Sequence, residues 1–287
     1  MMPAYARSGD EMTPPATLKE RAKRIVLRKV VDRVRPLAYR RRAGGIRCLT
    51  FHYLFEHERE RAHRLFAALK REGDFVTTDE MLAALDGAPA LRAQRLFHLS
   101  VDDGFENVAT VAHPVMKEIG IPYSLMVCPA FVGADDEALQ AFSRNARYAR
   151  SLPLAGWEEL RRLADDGVEI GAHTLTHREL SALSGDDLAR EIAEPKRVIE
   201  ERLGKPCTSF AWPFGRRSAM SEEALRLAQA AGYRAVFSSL RGTLAPGGGV
   251  PRYLPRHHFE PSWPLDTVLY YATRAEPVFA PEPLGHG

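Results

Sequence analysis

From Ile46 onward, short apolar segments alternate along the chain with amphipathic segments of helical period. Short apolar segments of this kind predict strands, and strands that alternate with helices predict a parallel sheet. Seven strand candidates, each followed by a helix or a long loop, favour an irregular, incomplete (β/α)7 barrel over a doubly wound sheet. The seven segments are IRCLTFH, RLFHLSV, YSLMVC, GVEIGAH, TSFAWPF, AVFSS and RYLPRHH.

The helical segments between these strands carry start and stop signals. Segment 186–204 begins with acidic residues after Ser184 and ends in a glycine, with a kink expected at Pro195. Segments 157–167 and 222–232 end in a glycine in the same way. Neither a dinucleotide fingerprint nor a phosphate-binding loop is found in the sequence.

Two terminal segments fall outside this alternation. Residues 1–45 are predicted to form a disordered leader and then a basic amphipathic helix, which begins near residue 18 and ends before Pro36. Residues 276–287 are rich in proline and are predicted to form an unstructured tail. The chemistry is therefore expected in one domain over residues 46–275.

The positive charge is concentrated in segment 18–42, which holds eleven Lys and Arg against two acidic residues, a net charge of +9. Because the whole chain carries +3, the remainder carries −6. A basic amphipathic helix is typical of attachment to an anionic membrane surface. It is equally typical of a helix that packs outside a domain with its charges solvated. Nucleic-acid binding is not expected, because the acidic remainder contains no recognition motif.

Composition is that of an ordinary globular protein, with 45% hydrophobic and 27% charged residues. The cysteines, Cys48, Cys128 and Cys207, form no C-x-x-C pair, which argues against a disulfide framework and a thiolate zinc site. No stretch reaches the ~20 apolar residues of a membrane span, and the N-terminus does not resemble a signal peptide. We therefore expect a cytoplasmic location, peripheral at the inner membrane face if the basic segment binds lipid.

Two adjacent carboxylates, Asp102 and Asp103, follow the second strand candidate and precede Gly104, which permits a sharp turn. In a parallel β/α barrel, functional groups gather where the strands end. Adjacent carboxylates repel each other unless they share a cation or a proton. Taken alone, however, an Asp-Gly pair is more typical of an ordinary turn.

His173 is the last residue of a later strand candidate, and His177 comes four residues after it. At this spacing, one helical turn would place both imidazoles on one side. The same spacing occurs in H-E-x-x-H metalloproteases, but Thr174 stands where their Glu base would be. Alone, the pair also fits two structural loop histidines. One carboxylate and two imidazoles together form a three-ligand set that leaves positions open for water and substrate. A second carboxylate beside it supplies a base within reach of that water.

The motifs DDG, H-T-x-x-H and AWPFG stand in the order found in the polysaccharide deacetylases, the family-4 carbohydrate esterases with a NodB homology domain. The chain resembles this family over about residues 46–260. The resemblance implies a metal-dependent hydrolase that removes N-acetyl groups from an oligosaccharide, a polysaccharide or a lipid-linked saccharide. It implies Asp102 as general base and Asp103, His173 and His177 as ligands of a divalent metal. Zinc is the first choice, with Co²⁺, Ni²⁺ or Fe²⁺ as alternatives.

The resemblance also assigns roles around the AWPFG segment. A backbone N–H near Phe214, in Trp212-Pro213-Phe214, would face the oxyanion of the tetrahedral intermediate. Trp212 and Phe214 would enclose the acetyl or sugar group, although plain core packing is an equally ordinary role for Trp212. His52, at the end of the first strand candidate, is placed to contact the substrate or the metal ligands.

The chain departs from the common family pattern at Ala211, where an arginine usually steadies the base. Some branches draw this arginine from a late strand, which makes Arg256 the candidate and Arg252 the second choice. The family also uses a late histidine as general acid for the departing amine. Period-two alternation places His258 on the face of Arg256 and His257 on the other face, so that His258 is favoured over His257.

The sequence leaves two other functions open. A two-His-one-carboxylate iron oxygenase uses the same ligand types, but such sites generally lie on a β-sandwich. A non-catalytic carbohydrate-binding protein on a deacetylase scaffold would account for Ala211, but it would have no use for Asp102. An oxygen requirement would identify the oxygenase. Equal inactivity of the wild type and Asp102→Asn would favour the binding protein.

Overall fold

A computed structural model describes residues 5–12, 45–88 and 95–284 of the chain. The basic segment 18–42 lies outside these residues, and its membrane role therefore stays a prediction. Within the described ranges, none of the helices has both the length and the apolar character that a membrane crossing requires.

Short parallel strands form one sheet. In chain order they are β1 (Gly45–Phe51), β2 (Asp74–Val76), β3 (Arg95–Val101), β4 (Ser124–Val127), β5 (Glu169–Ala172), β6 (Ser209–Ala211), β7 (Ala235–Phe237) and β8 (His257–His258). Their spatial order is β7-β6-β5-β4-β3-β1-β8, and β2 also pairs with β3. Every position of β3 is buried, as expected for a parallel strand that is covered on both faces.

Helices follow most of these strands. They are α1 (Gly9–Met12), α2 (Arg59–Glu72), α3 (Thr78–Leu85), α4 (His113–Ile119), α5 (Asp136–Ala146), α6 (Trp157–Asp165), α7 (Gly185–Leu203), α8 (Glu222–Ala230) and α9 (Leu265–Thr273). The Ser221 side chain accepts a hydrogen bond from the backbone of Ala224 and so caps the start of α8. Helix α7 continues through Pro195, where a kink was expected.

One segment near the C-terminus ties the two ends of the sheet together. Leu254 pairs in parallel with Phe237 of β7, and β8 pairs with Leu49 and Thr50 of β1. His98 of β3 stacks on Phe237 with 5.0 Å between ring centres. Strands so far apart in the sheet order can make this contact only across the concave side. The sheet is therefore a curled, incomplete β/α barrel, which confirms the predicted fold class.

Alternate positions of the strands face two apolar cores. In β1, Ile46 and Cys48 belong to a small core on the concave side of the sheet, whereas Leu49 and Phe51 belong to the larger core between sheet and helices. Both faces of the sheet are largely covered with apolar groups, and polar side chains within the strands, such as His98, Ser100 and Ser124, are buried among them. This leaves the carboxyl edge of the sheet as the place for chemistry.

Both described terminal segments pack against the domain, which differs from the predicted disordered leader and unstructured tail. Met12 at the end of α1 is fully buried. Near the C-terminus, Glu276 forms an ion pair with Arg47 at 3.0 Å, and Leu284 is buried. A few buried side chains thus anchor a backbone that has little regular structure. These single anchors were not predictable, because the segments as a whole contain few apolar residues.

Candidate metal centre

The carboxyl edge of the sheet brings Asp103, His173 and His177 together. Asp103 follows β3 and His173 follows β5, and the carboxyl ends of parallel strands open on the same side. Asp103 Oδ1 lies 3.5 Å from His173 Nε2 and 3.2 Å from His177 Nε2. One ligand atom from each residue lies within 4.8 Å of the other two, and all three residues are buried. This spacing fits three ligands around a single ion.

The hydrogen bonding of these side chains suits a metal. Asp103 Oδ1 is buried and has no hydrogen-bond partner within the described residues, which is costly unless a cation balances it. His173 Nδ1 donates to the carbonyl oxygen of Ala211 at 2.7 Å, so the lone pair is left on Nε2. Burial lowers the pKa of His173 to about 4, although Asp102 opposes the shift. The imidazole is therefore neutral, as ligation requires, and the residues present fit a divalent metal.

The loop that carries the two histidines is not the helical turn expected from their spacing. Instead, Thr174 and His177 adopt left-handed backbone conformations with φ of 63° and 58°. Thr174 Oγ1 accepts a hydrogen bond from the backbone N–H of His177 at 2.9 Å, which stabilises the loop. Asp103 and Phe214 also have positive φ. Backbone strain of this kind concentrates at functional sites.

Asp102 stands beside the ligand set and is held by Arg256. Two guanidinium nitrogens of Arg256 donate to the two carboxylate oxygens at 2.7 and 2.8 Å. Arg256 is completely buried and also donates to Ser100 Oγ and to the carbonyl oxygen of Ser238. Burial alone would raise the pKa of Asp102, but the charge of Arg256 and its hydrogen bonds outweigh burial and lower it. Arg256 thus makes the contact with Asp102 for which it was the candidate.

Two other predicted candidates are not brought to the site. The guanidinium of Arg252 forms an ion pair with Glu222 at the protein surface, with 3.1 Å between Arg252 Nη1 and Glu222 Oε1. His257 Nε2 lies 3.1 Å from Glu276 Oε2, on the outer face of its strand. The alternation that turns Arg256 inward turns His257 outward. His257 is therefore not a candidate for the general acid.

His258 and His52 lie side by side and share the carboxylate of Glu260. Glu260 Oε1 lies 2.7 Å from His258 Nε2 and 3.1 Å from His52 Nδ1, and the two imidazole centres are 5.0 Å apart. Burial lowers the pKa of His52, but the hydrogen bond and charge of Glu260 outweigh it and raise the pKa to about 9. His52 is therefore positively charged at neutral pH. The His258 side chain is 37% exposed, so the pair is open to solvent.

Of the Trp212-Pro213-Phe214 segment, Phe214 is the residue that faces the site. Its ring lies edge-on to His177, with 5.4 Å between centres. Trp212 is completely buried and its indole N–H donates to the carbonyl oxygen of Arg216 at 3.2 Å. Pro213, which stands between Trp212 and Phe214 in the sequence, is also buried. Trp212 therefore packs in the core, while Phe214 can wall a pocket.

Two residues near the site were missed by the sequence analysis. The Tyr148 hydroxyl donates to Asp103 Oδ2 and fixes the orientation of this ligand. Tyr148 lies in a loop after α5 without any recognisable motif. Glu260 was detectable, because period-two alternation continues from Arg256 through His258 to position 260.

The chain matches the family model described as polysaccharide deacetylase over residues 92–236. It is 24% identical over 136 residues to YxkH of Bacillus subtilis, which bears the name of a polysaccharide deacetylase. It is also 28% identical over 120 residues to a gellan lyase of a Bacillus species. These matches cover 47% and 42% of this chain but only 42% and 4% of the relatives. The chain thus spans less than half the length of either relative.

Solved structures show the same fold. The deacetylase PplD of Streptococcus pyogenes, solved in complex with acetate, matches with a TM-score of 0.63 and 19% identity over 79% of this chain and 98% of that chain. IcaB from Ammonifex degensii matches with a TM-score of 0.63 and 23% identity over 80% of this chain and 99% of that chain. At these identities the likeness shows the fold alone. The family model, however, covers half of the chain, and the chain therefore belongs to the polysaccharide deacetylase family.

Proposed function

We propose that this protein is a metal-dependent hydrolase that removes an N-acetyl group from an acetylated saccharide. The proposal rests on one arrangement, a ligand set of Asp103, His173 and His177 beside a separate ionised carboxylate, Asp102. A pure sugar-binding protein needs no base held by a buried arginine. The missing arginine at position 211 no longer favours that alternative, because Arg256 binds Asp102 directly.

The chain's own residues would divide the work of amide hydrolysis. When bound, a divalent ion would supply Lewis acidity at the acetyl carbonyl and acidify a water. Asp102 would take the proton from that water, and Arg256 keeps the carboxylate ionised and oriented. A backbone N–H near Phe214 would face the negative charge that develops on the acetyl oxygen.

The departing amine needs a proton, and the imidazole pair of His52 and His258 would supply it. Both rings are oriented by Glu260. The raised pKa of His52 keeps a proton available on this pair at neutral pH. We assign the role to the pair, because a single carboxylate oxygen joins the two rings.

Metal removal tests the proposed function. Full-length protein stripped with a chelator and reloaded with Zn²⁺ should release acetate from N-acetylhexosamine oligosaccharides about a hundredfold faster than the stripped protein. An enzymatic acetate assay measures the release, under air and under nitrogen. As a matched control, His177→Ala should not recover on reloading. Equal rates with and without metal, a need for oxygen, or no acetate from any acetylated sugar would each reject the proposal.

We further propose that segment 18–42 attaches the protein to an anionic membrane surface, which would suit a lipid-linked saccharide. Its net charge of +9 supports this. Replacing Lys23, Arg24, Arg28 and Lys29 by Gln should weaken binding to phosphatidylserine vesicles about a thousandfold in a co-sedimentation assay, since each of the four charges near the surface contributes about 1 kcal/mol. Neutral phosphatidylcholine vesicles serve as the control. Unchanged binding of the substituted protein to the anionic vesicles would remove the idea.

A further inference from the structure

A small groove lies next to the candidate metal ligands. His177 forms one wall, and Phe214, Arg147, Arg178 and Glu179 form others. Its volume is about 200 Å³, below the usual range for a drug-sized ligand. It therefore has room for one substituent or part of one sugar. Because His177 lines it directly, a group bound there would belong to a saccharide whose neighbouring unit is at the metal.

Two arginines lie over the Phe214 ring: Arg147 lines the groove, and Arg216 borders it through its contacts with Phe214 and Glu179. The guanidinium carbon of Arg147 lies 4.3 Å from the ring centre, and that of Arg216 lies 5.2 Å away. Both distances are within the range of a cation–π contact. The Arg147 and Arg216 side chains are nevertheless 60% and 44% exposed. The ring thus orients two guanidinium groups that a ligand can still reach.

The positive charge of Arg147 and Arg216 is only partly balanced. Arg147 and Arg216 share the single carboxylate of Glu179, with 2.8 Å between Arg147 Nη2 and Glu179 Oε2. A third arginine, Arg178, also lines the groove, but it already pairs with Asp187 at 3.3 Å. Within the described residues, the hydrogen bond to Glu179 uses one of the five N–H donors of Arg147. One carboxylate between two guanidinium groups leaves both positive charge and donors for a further anion.

We propose that this groove binds an anionic group of the saccharide, a carboxylate or a phosphate, through Arg147 and Arg216. Guanidinium groups match the planar oxygen pairs of these anions and bind them bidentately. The inference rests on the proposed function, since it names the class of saccharide that the deacetylase takes. It makes Arg147 and Arg216 specificity-determining residues and leaves Asp102 and the metal ligands with the chemistry.

A purely structural role predicts a different outcome for the same variants. If the arginines only hold Phe214 in place, Arg147→Gln and Glu179→Gln both loosen the same cluster, and both should weaken charged and neutral sugars alike. If the arginines attract an anion, the two substitutions have opposite effects. Arg147→Gln removes a positive charge, whereas Glu179→Gln removes the negative charge that competes with the ligand.

Calorimetry with matched sugars separates the two roles. The first pair of probes is a tetrasaccharide of alternating N-acetylglucosamine and glucuronic acid, and the same sugar with its carboxyl groups reduced to alcohols. The second pair is N-acetylglucosamine 1-phosphate and its methyl glycoside. Each protein is reloaded with Zn²⁺ and kept in one buffer. Arg234→Gln is the control, because this exposed arginine pairs with Asp79. It directly precedes β7 and so lies at the amino edge of the strands, opposite the carboxyl edge that holds the groove.

For the anionic probe that fits, we expect Arg147→Gln to raise Kd about tenfold and Glu179→Gln to lower it about threefold. The neutral partners and Arg234→Gln should stay within about twofold of the wild type. The carboxylate and phosphate pairs distinguish the two sources of anion. Equal affinity for charged and neutral members of both pairs, or equal losses in Arg147→Gln and Glu179→Gln, would overturn the inference. Since binding is measured directly, failure of acetate release would count against the proposed function and not against the groove.

Discussion

Asp102→Asn should lower kcat for acetate release about a thousandfold while the protein keeps its bound metal. A positioned general base contributes about 10²- to 10⁴-fold, and asparagine keeps the shape of aspartate but cannot take the proton. Asp102 lies outside the set of three ligand atoms, and Arg256 holds both of its oxygens. The measurements are steady-state acetate release and metal content per chain.

Asp103→Asn is the matched control for this variant, because it changes the neighbouring carboxylate in the same way. It should lose metal as well as activity, since Asp103 Oδ1 faces both imidazoles. Thermal unfolding of both variants checks that the assays are run on folded protein. Full activity in Asp102→Asn would place the base elsewhere, and loss of metal from it would make Asp102 a ligand.

Replacing Arg256 should have the largest effect on stability. Arg256→Met leaves the buried carboxylate of Asp102 without its partner, and breaking a buried ion pair in this way costs about 3–5 kcal/mol of unfolding free energy. Activity should fall with it, because Asp102 loses the group that orients it. Denaturant unfolding measures the first effect and acetate release the second.

The pH dependence of this variant has a defined sign. In the wild type the pKa of Asp102 is lowered. The ionised carboxylate therefore stabilises the folded protein at any pH above the unfolded pKa of about 4. This stabilisation is lost as the pH falls through the lower pKa of the folded state. Without Arg256, only the imidazoles of His173 and His52 oppose the effect of burial, so the pKa of Asp102 rises. The acid limb of kcat/KM should therefore move to higher pH. Arg256→Lys keeps the charge and should give a smaller shift. An acid limb that does not move in either variant would contradict the assignment.

The fold was predictable because burial leaves a strong signal in a parallel sheet. Segments such as RLFHLSV are mostly apolar, and β3 is buried at every position. β2 was missed, because it has only three residues and one of them is exposed. Helix α7 continues through Pro195, although proline disfavours a helix interior.

The site was less predictable, because only part of it has a local pattern. Strand alternation leads from Arg256 to His258 and on to Glu260. The spacing of His173 and His177 suggested a helical turn, but left-handed backbone at Thr174 and His177 brings the imidazoles together instead. Tyr148 reaches Asp103 from a separate loop, and neither period nor motif marks a contact of that kind.

The segment from Leu254 to His258 joins β7 to β1 and also carries the arginine that binds Asp102. One stretch of chain therefore closes the seam of the barrel and anchors Asp102, the proposed base. If this seam opens, Asp102 loses its anchor while the rest of the apolar interior is still packed. Local openings of this size require less free energy than global unfolding. If Asp102 is the base, as proposed, an intact barrel wall is therefore a condition for catalysis.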